Sequence, residues 1–222
     1  MDAWALCSHQ RAIAAIDAGV FADEIVPVKA LQDDGSFAEF AVDEHPRRDT
    51  TAERLAGLKV LHLEIEGFSI TAGNSSGIND AAAAVVLAGS DLASERGLPP
   101  LAMVRSCAAT ATDPACTGMA VLDVIPKLLA RAGLGVGDIA LWEINEAFVS
   151  VPIAACKGLG IDEELVNVHG SGCSLGHPVA ATGARMVITL MNELRRRGGG
   201  YGLAAVCAGG GQAGAVLIEV PA

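Results

Sequence analysis

Residues 206–220 read VCAGGGQAGAVLIEV. Within them, Gly209, Gly211 and Gly214 fit the spacing G-x-G-x-x-G of a dinucleotide-binding turn. That turn needs a strand before it and a helix after it, because the pyrophosphate rests on the helix N-terminus. After Gly214 the chain runs AVLIEV, apolar and rich in β-branched residues, and no helical pattern comes after it. The stretch therefore predicts two strands, 202–207 and 213–220, joined by a glycine hairpin. Glycines at such a turn can also admit a ligand close to the backbone and present amide N–H groups to it. Cys207, at the end of the first strand, becomes a candidate for chemistry.

Working outward, residues 178–197 form a long helical pattern with apolar positions at Val187, Ile188, Leu190, Met191 and Leu194. Arg195, Arg196 and Arg197 close it, where cations suit the helix dipole. Residues 101–109 and 139–144 read as strands. Residues 121–132 and 146–157 read as helices, the latter stopped by Gly158 and Gly160. Alternation of this kind predicts an α/β layered domain. Nearer the start, 3–17 reads as a helix, 24–28 as a short edge strand and 33–51 as irregular. Residues 71–80, TAGNSSGIND, form a loop, and the apolar run 81–87 is a buried strand or a buried helix. Ser90 is the expected N-cap of a helix ending at Gly97.

Aromatic content is 4% against 51% hydrophobic, so the core is built from Ala, Val, Leu and Ile. A net charge of -11 disfavours nucleic-acid binding. No cysteine pair has C-x-x-C spacing and none sits at zinc-ligand spacing to a histidine, so no metal site is expected. Scattered cysteines in a chain of this size suggest reduced thiols and a cytoplasmic setting. No signal peptide and no membrane-spanning run is read.

Three segments carry candidate chemistry. In NEAF, residues 145–148, Asn145 and Glu146 stand at a strand end, where α/β sites usually lie; capping of the following helix is the plainer role. In GSGCSLGHPVAATGAR, residues 170–185, His177 precedes Pro178 at a helix start. A neutral imidazole held there can act as a base toward a thiol. Cys173 reads as a packed side chain. The third is Cys207 with Gly209: a thiol whose pKa is brought near neutrality can exchange a proton with carbon.

TAGNSSGIND, NEAF, GHPVAATGAR and CAGGG occur here in the order and approximate spacing of thiolases, and SHQRAIAAIDAGVFADEIVPV resembles the thiolase loop domain. The resemblance implies an α/β/α layered sheet: the C-terminal half of a thiolase plus part of the loop domain. Residues 1–70 would be loop domain, 71–99 the last strand and helix of the N-terminal half, and 100–222 the C-terminal domain. It implies that His177 activates a nucleophilic cysteine and that Cys207 is the acid/base at carbon. Asn145 would hold an oxyanion-hole water and the Gly209 N–H would serve a second oxyanion hole. Ser76 would lie near the pantetheine of a coenzyme A thioester. Arg47 and Arg48 are candidates for CoA phosphates, with solvated surface charge as the alternative. No cofactor is implied beyond the CoA substrate.

The departures matter as much. A thiolase uses two cysteines, and none of Cys7, Cys107, Cys116, Cys156 or Cys173 stands in the nucleophile's motif. The expectation is a hetero-oligomer in which an N-terminal chain supplies that cysteine. The alternative is a non-catalytic relative that binds CoA thioesters or scaffolds a complex. Cys116 lies in a stretch that departs from the family's usual Met- and Pro-containing sequence beside the pantetheine.

Overall fold

The computed structural model describes residues 1–221. Helix α1 (Asp2–Asp17) is followed by strands β1 (Val28–Leu31) and β2 (Phe37–Phe40), then by the short helices α2 (Ala52–Ala56) and α3 (Ser90–Glu95). Strand β3 (Met103–Ala111), helix α4 (Val121–Ala132), strand β4 (Ile139–Ile144) and helix α5 (Ser150–Leu159) come next. The short α6 (Gly172–Leu175), the long α7 (Val179–Arg196) and strands β5 (Gly200–Ala208) and β6 (Gln212–Val220) complete it.

β1 and β2 form an antiparallel ribbon of their own. The main sheet has the order β3-β6-β5-β4, with β4 and β5 parallel and the other pairs antiparallel. Side chains alternate across it with period two. Trp142, Leu203, Ala205 and Leu217 face α4 and α5, packing on Val124, Ile125, Leu128 and Ala155. Leu141, Ala204 and Ile218 face the other way, onto Met186, Leu190 and Leu194 of α7. The result is helix, sheet, helix: the expected α/β/α layering.

The glycine turn joins two strands, in agreement with the sequence pattern. Gly211 has φ 80°, and a Cβ there would clash with the Thr112 carbonyl oxygen. The turn is clamped from outside: Thr112 N–H donates to Gly211 O at 2.7 Å, and Gly211 N–H to Thr117 Oγ1 at 3.1 Å.

Several elements differ from expectation. Residues 24–28 are not a strand: Glu24 and Ile25 N–H groups bond back to Phe21 O, and pairing begins only at Val28, beyond Pro27. The stretch 33–51 contains β2. Residues 81–87 are neither strand nor buried helix; they carry no regular structure, and Val86 and Leu87 are 98% and 77% exposed. No described strand lies beside them to complete a ladder. Ser90 is the first residue of α3 and Gly89 is its N-cap. Helix α5 begins at Ser150 rather than Glu146, and Gly160, not Gly158, caps it. Among the described residues no helix is long and apolar enough to cross a membrane, and no cluster of His, Cys, Asp or Glu could hold a metal ion.

Candidate active site

The C-terminal ends of β4 and β5 define the site. The register sets Ile144 beside Ala205, and Asn145 N–H donates to Ala205 O at 3.0 Å. Cys207 lies two residues further along β5, half-buried against the α4–α5 face of the core. Gly209 comes next but one, in the turn, where an added Cβ would meet nothing within 4 Å.

Asn145 is completely buried and caps no helix, since α5 starts five residues later. Its amide nitrogen packs on the His177 imidazole, 3.3 Å from Nε2 and 3.4 Å from Nδ1. Its Oδ1 is buried with no hydrogen-bond partner among the described residues. A buried acceptor left open is costly, and it is the kind of atom a water or substrate hydrogen would satisfy.

His177 stands just before α7, with Pro178 at the N-cap. Its backbone N–H donates to Asn79 Oδ1 at 3.1 Å, and Nδ1 lies 2.8 Å from Thr182 Oγ1. Burial, and then the positive charge of Arg185, hold its pKa below the ordinary 6.5. The ring is therefore neutral at pH 7, as expected, but burial and Arg185 keep it so. Its hydrogen bonds run to Asn79, Asn145 and Thr182, not to Cys207. Burial pushes the Cys207 thiol above 9.0, partly offset by a backbone hydrogen bond. Cys207 is thus a thiol at neutral pH, a proton donor in its resting state; its pKa is not brought toward neutrality, contrary to the sequence-based expectation.

The loop 71–80 docks on this region through its backbone. Ser76 N–H donates to Ala147 O at 3.0 Å, and Val149 N–H to Asn74 O at 3.1 Å. Ser76 is thereby held beside the NEAF segment, and Asn79 is carried to His177. Gly176, at φ 96°, lies so close that a Cβ would come within 2.5 Å of Asn79 Oδ1. Arg48 is forked onto Asp17, at 2.9 and 2.5 Å. Arg47 is exposed, and its backbone N–H donates to His9 Nδ1 at 3.2 Å. His45 Nε2 lies 3.2 Å from Cys173 O, tying this stretch to the loop that carries His177. The Arg47–Arg48 pair is so attached to the site's frame, with Arg48 already engaged.

Sequence reasoning missed what Glu146 does. Fully buried, its carboxylate accepts from Trp4 Nε1 (2.8 Å), Ser8 Oγ (2.7 Å), Asn167 Nδ2 (2.9 Å) and Cys173 N (3.2 Å). It pins α1, α6 and the 167 loop behind Asn145. Arg185 was also missed: it bonds buried Glu143 at 2.8 Å, fixing α7 to β4. Asn79 and Thr182 lie inside the family motifs, but nothing local marks them as partners of His177.

A sheet end with a neutral histidine, a buried asparagine, a thiol and a glycine turn suits proton transfer at sulfur and carbon. Comparison with known proteins assigns the family. The model of the thiolase C-terminal domain matches residues 98–220, and that of the thiolase N-terminal domain matches residues 1–91. This chain belongs to the thiolase family. It is 43% identical over 220 residues to an acetyl-CoA acetyltransferase of Chromobacterium violaceum, covering 99% of this chain and 56% of that protein. It is 46% identical over 225 residues to the peroxisomal 3-ketoacyl-CoA thiolase B of Rattus norvegicus, covering 99% and 53%. The crystal structure of the Bacillus anthracis acetyl-CoA acetyltransferase superposes with a TM-score of 0.94 at 44% identity, over 99% of this chain and 55% of that one. The chain thus carries sequence of both family domains, and it spans about half the length of the curated relatives it matches.

Proposed function

We propose that this chain is the C-terminal part of a thiolase that transfers acyl groups between coenzyme A thioesters. In this reading it works in the cytoplasm as one component of a hetero-oligomer whose other chain carries the nucleophilic cysteine. The observation that carries the reading is that Asn145 and Cys207 stand at the C-terminal ends of two adjacent parallel strands, with His177 against Asn145 and Gly209 two residues past Cys207. Support for a partner comes from the exposed apolar segment 81–87, which lacks a sheet to join. The relatives carry further sequence, since this chain covers 56% of the Chromobacterium violaceum protein and 55% of the Bacillus anthracis one.

The chemistry rests on the groups at the site. His177, neutral, takes the proton of the partner's thiol, and the thiolate attacks the acyl carbonyl: the thioester carbonyl of acetyl-CoA in condensation, the 3-keto carbonyl in thiolysis. The Asn145 Oδ1 gives a water the acceptor it needs to turn its other hydrogen toward the developing oxyanion, and backbone N–H groups of the glycine turn serve a second one. In thiolysis of a 3-ketoacyl-CoA, the carbon–carbon bond breaks and the electron pair stays on the acetyl-CoA fragment. The Cys207 thiol then gives its proton to that carbon, and the thiol of an incoming CoA returns a proton to Cys207 and takes the acyl group from the partner's sulfur. Ser76 lines the pantetheine path, and Arg47 is the better placed of the two arginines for a CoA phosphate, because Arg48 is held by Asp17.

Native mass spectrometry of the protein from its own source tests the partner, and thiolysis of short 3-ketoacyl-CoA substrates by that complex tests the activity. Cys207→Ala and His177→Ala should each lower turnover at least ~100-fold. A complex inactive on every short 3-ketoacyl-CoA, or a Cys207→Ala variant with unchanged biological activity, would favour the alternative of a non-catalytic CoA-thioester-binding or scaffold protein.

A further inference from the structure

We infer that Thr182 is a positioning residue that sets the tautomer of His177 and leaves Nε2 as the basic atom; the inference builds on the reading of His177 as the base. Thr182 is buried, 1% exposed, in the first turn of α7. Its Oγ1 lies 2.8 Å from His177 Nδ1 and 2.9 Å from Pro178 O. A hydroxyl has one hydrogen to give and two lone pairs, a carbonyl only accepts, and a neutral imidazole has one donor and one acceptor nitrogen.

The two contacts of the Thr182 hydroxyl are then complementary in one arrangement. Thr182 O–H donates to Pro178 O, the back-bond a threonine makes to the carbonyl four residues earlier. Its oxygen then faces His177 as an acceptor, so Nδ1 carries the hydrogen. Nε2 is left with its lone pair; the Asn145 amide nitrogen packs on the ring face, 3.3 Å from Nε2 and 3.4 Å from Nδ1, and so does not choose between the tautomers. The opposite tautomer would need the Thr182 hydroxyl to turn its hydrogen to Nδ1 and give up its bond to Pro178 O. Asn79 accepts the His177 backbone N–H and so fixes the main chain from which the ring projects. The relay from His177 through Thr182 to Pro178 is closed within one helix start, so no group outside it has to move when Nε2 takes up a proton.

The test is spectroscopic and needs neither substrate nor partner. The chain is labelled with ¹⁵N in its five histidines, and long-range proton–nitrogen correlation reads the protonation of each ring nitrogen. His177→Gln assigns the His177 signals. The expected wild-type spectrum has Nδ1 protonated and Nε2 bare. Thr182→Ser should preserve it, while Thr182→Val, with unchanged circular dichroism, should move the ring to mixed or Nε2–H signals. A wild-type ring protonated at Nε2 would overturn the inference, as would an unaltered tautomer in folded Thr182→Val. Should the valine variant not fold, the wild-type spectrum and the serine variant decide alone. Failure of the proposed activity is separable: a catalytically inert complex with the expected ring signals would remove the base role and leave the tautomer assignment standing.

Discussion

Four hydrogen-bond donors from three separate stretches of chain end on the Glu146 carboxylate, one residue from Asn145. An amide in its place can accept at one end only. Glu146→Gln therefore leaves either the Trp4–Asn167 pair or the Ser8–Cys173 pair facing an NH2 group, and should cost about 1–3 kcal/mol, measured by urea unfolding. A variant as stable as the parent would show that the hub is not what holds α1 to the sheet. Gly211→Ala is a second test at this scale. The added methyl runs into the Thr112 carbonyl in a left-handed backbone conformation, so a loss of about 3 kcal/mol is expected in the same experiment. Cys207 gives a third. Burial raises its thiol above 9.0, so iodoacetamide at pH 7 should label it more slowly than the exposed Cys107 and Cys116. Its labelling should speed up as pH climbs past 9, read peptide by peptide in a mass spectrometer. Fast labelling of Cys207 at pH 7 would contradict the protonated thiol. His177, Asn145 and Cys207 could be picked out as candidates because each sits in a motif. Their supports were not, since Trp4 and Glu146 stand 142 residues apart in sequence.

Two carboxylates, one on α7 and one bonded to it from β4, are shifted in opposite directions. Glu193 is buried, which alone would raise it, but hydrogen bonds from His169, Arg196 and Arg197 hold it down at about 2. Its folded value lies below the ordinary 4.5, so its stabilisation is present above pH 4.5 and is lost as pH falls toward 2. Glu193→Gln should remove on the order of 2 kcal/mol at pH 6 and little at pH 2, by urea unfolding at both. An equal loss at both pH values would refute the ionic origin. Glu143 runs the other way: burial pushes it up to about 7 against the pull of Arg185. Raised above 4.5, it erodes stability as pH climbs from 4.5 to 7, and Glu143→Gln should flatten that slope. The same scale shows what patterns can reveal. α4 and β4 were bounded correctly because a capped apolar period and a buried β-rich run are local signals. The start of α5 was not, because the loop 71–80 pairs with residues 147–149 and takes up their hydrogen bonds, a contact that no window of neighbouring residues contains.

At the scale of the molecule, order is unevenly distributed. Residues 103–220 form the sheet with helices on both faces, and α1 is pinned to them through Glu146 and through Arg11 N–H bonds to Val166 O and Glu164. Between these lies a stretch with little to hold it. Residues 81–89 carry no regular structure, α3 has no buried residue, and Leu98, Leu101 and Val104 remain exposed. The sequence marked 81–87 correctly as apolar, but the inference to burial failed because hydrophobic pattern reports a demand for a neighbour and not the presence of one. Large contiguous apolar exposure marks an interaction surface or an aggregation liability. Few buried contacts also mean low local stability. Brief digestion with subtilisin should therefore cut first within residues 81–101, leaving the fragment that begins near β3 resistant and far-UV dichroism largely intact. Addition of a chain that completes the sheet should slow that cut at least ~10-fold, because a strand paired on both edges no longer opens at that rate. First cleavage at the β5–β6 turn, or equal cleavage with and without the partner, would place the weak point elsewhere and detach the exposed segment from any role in assembly.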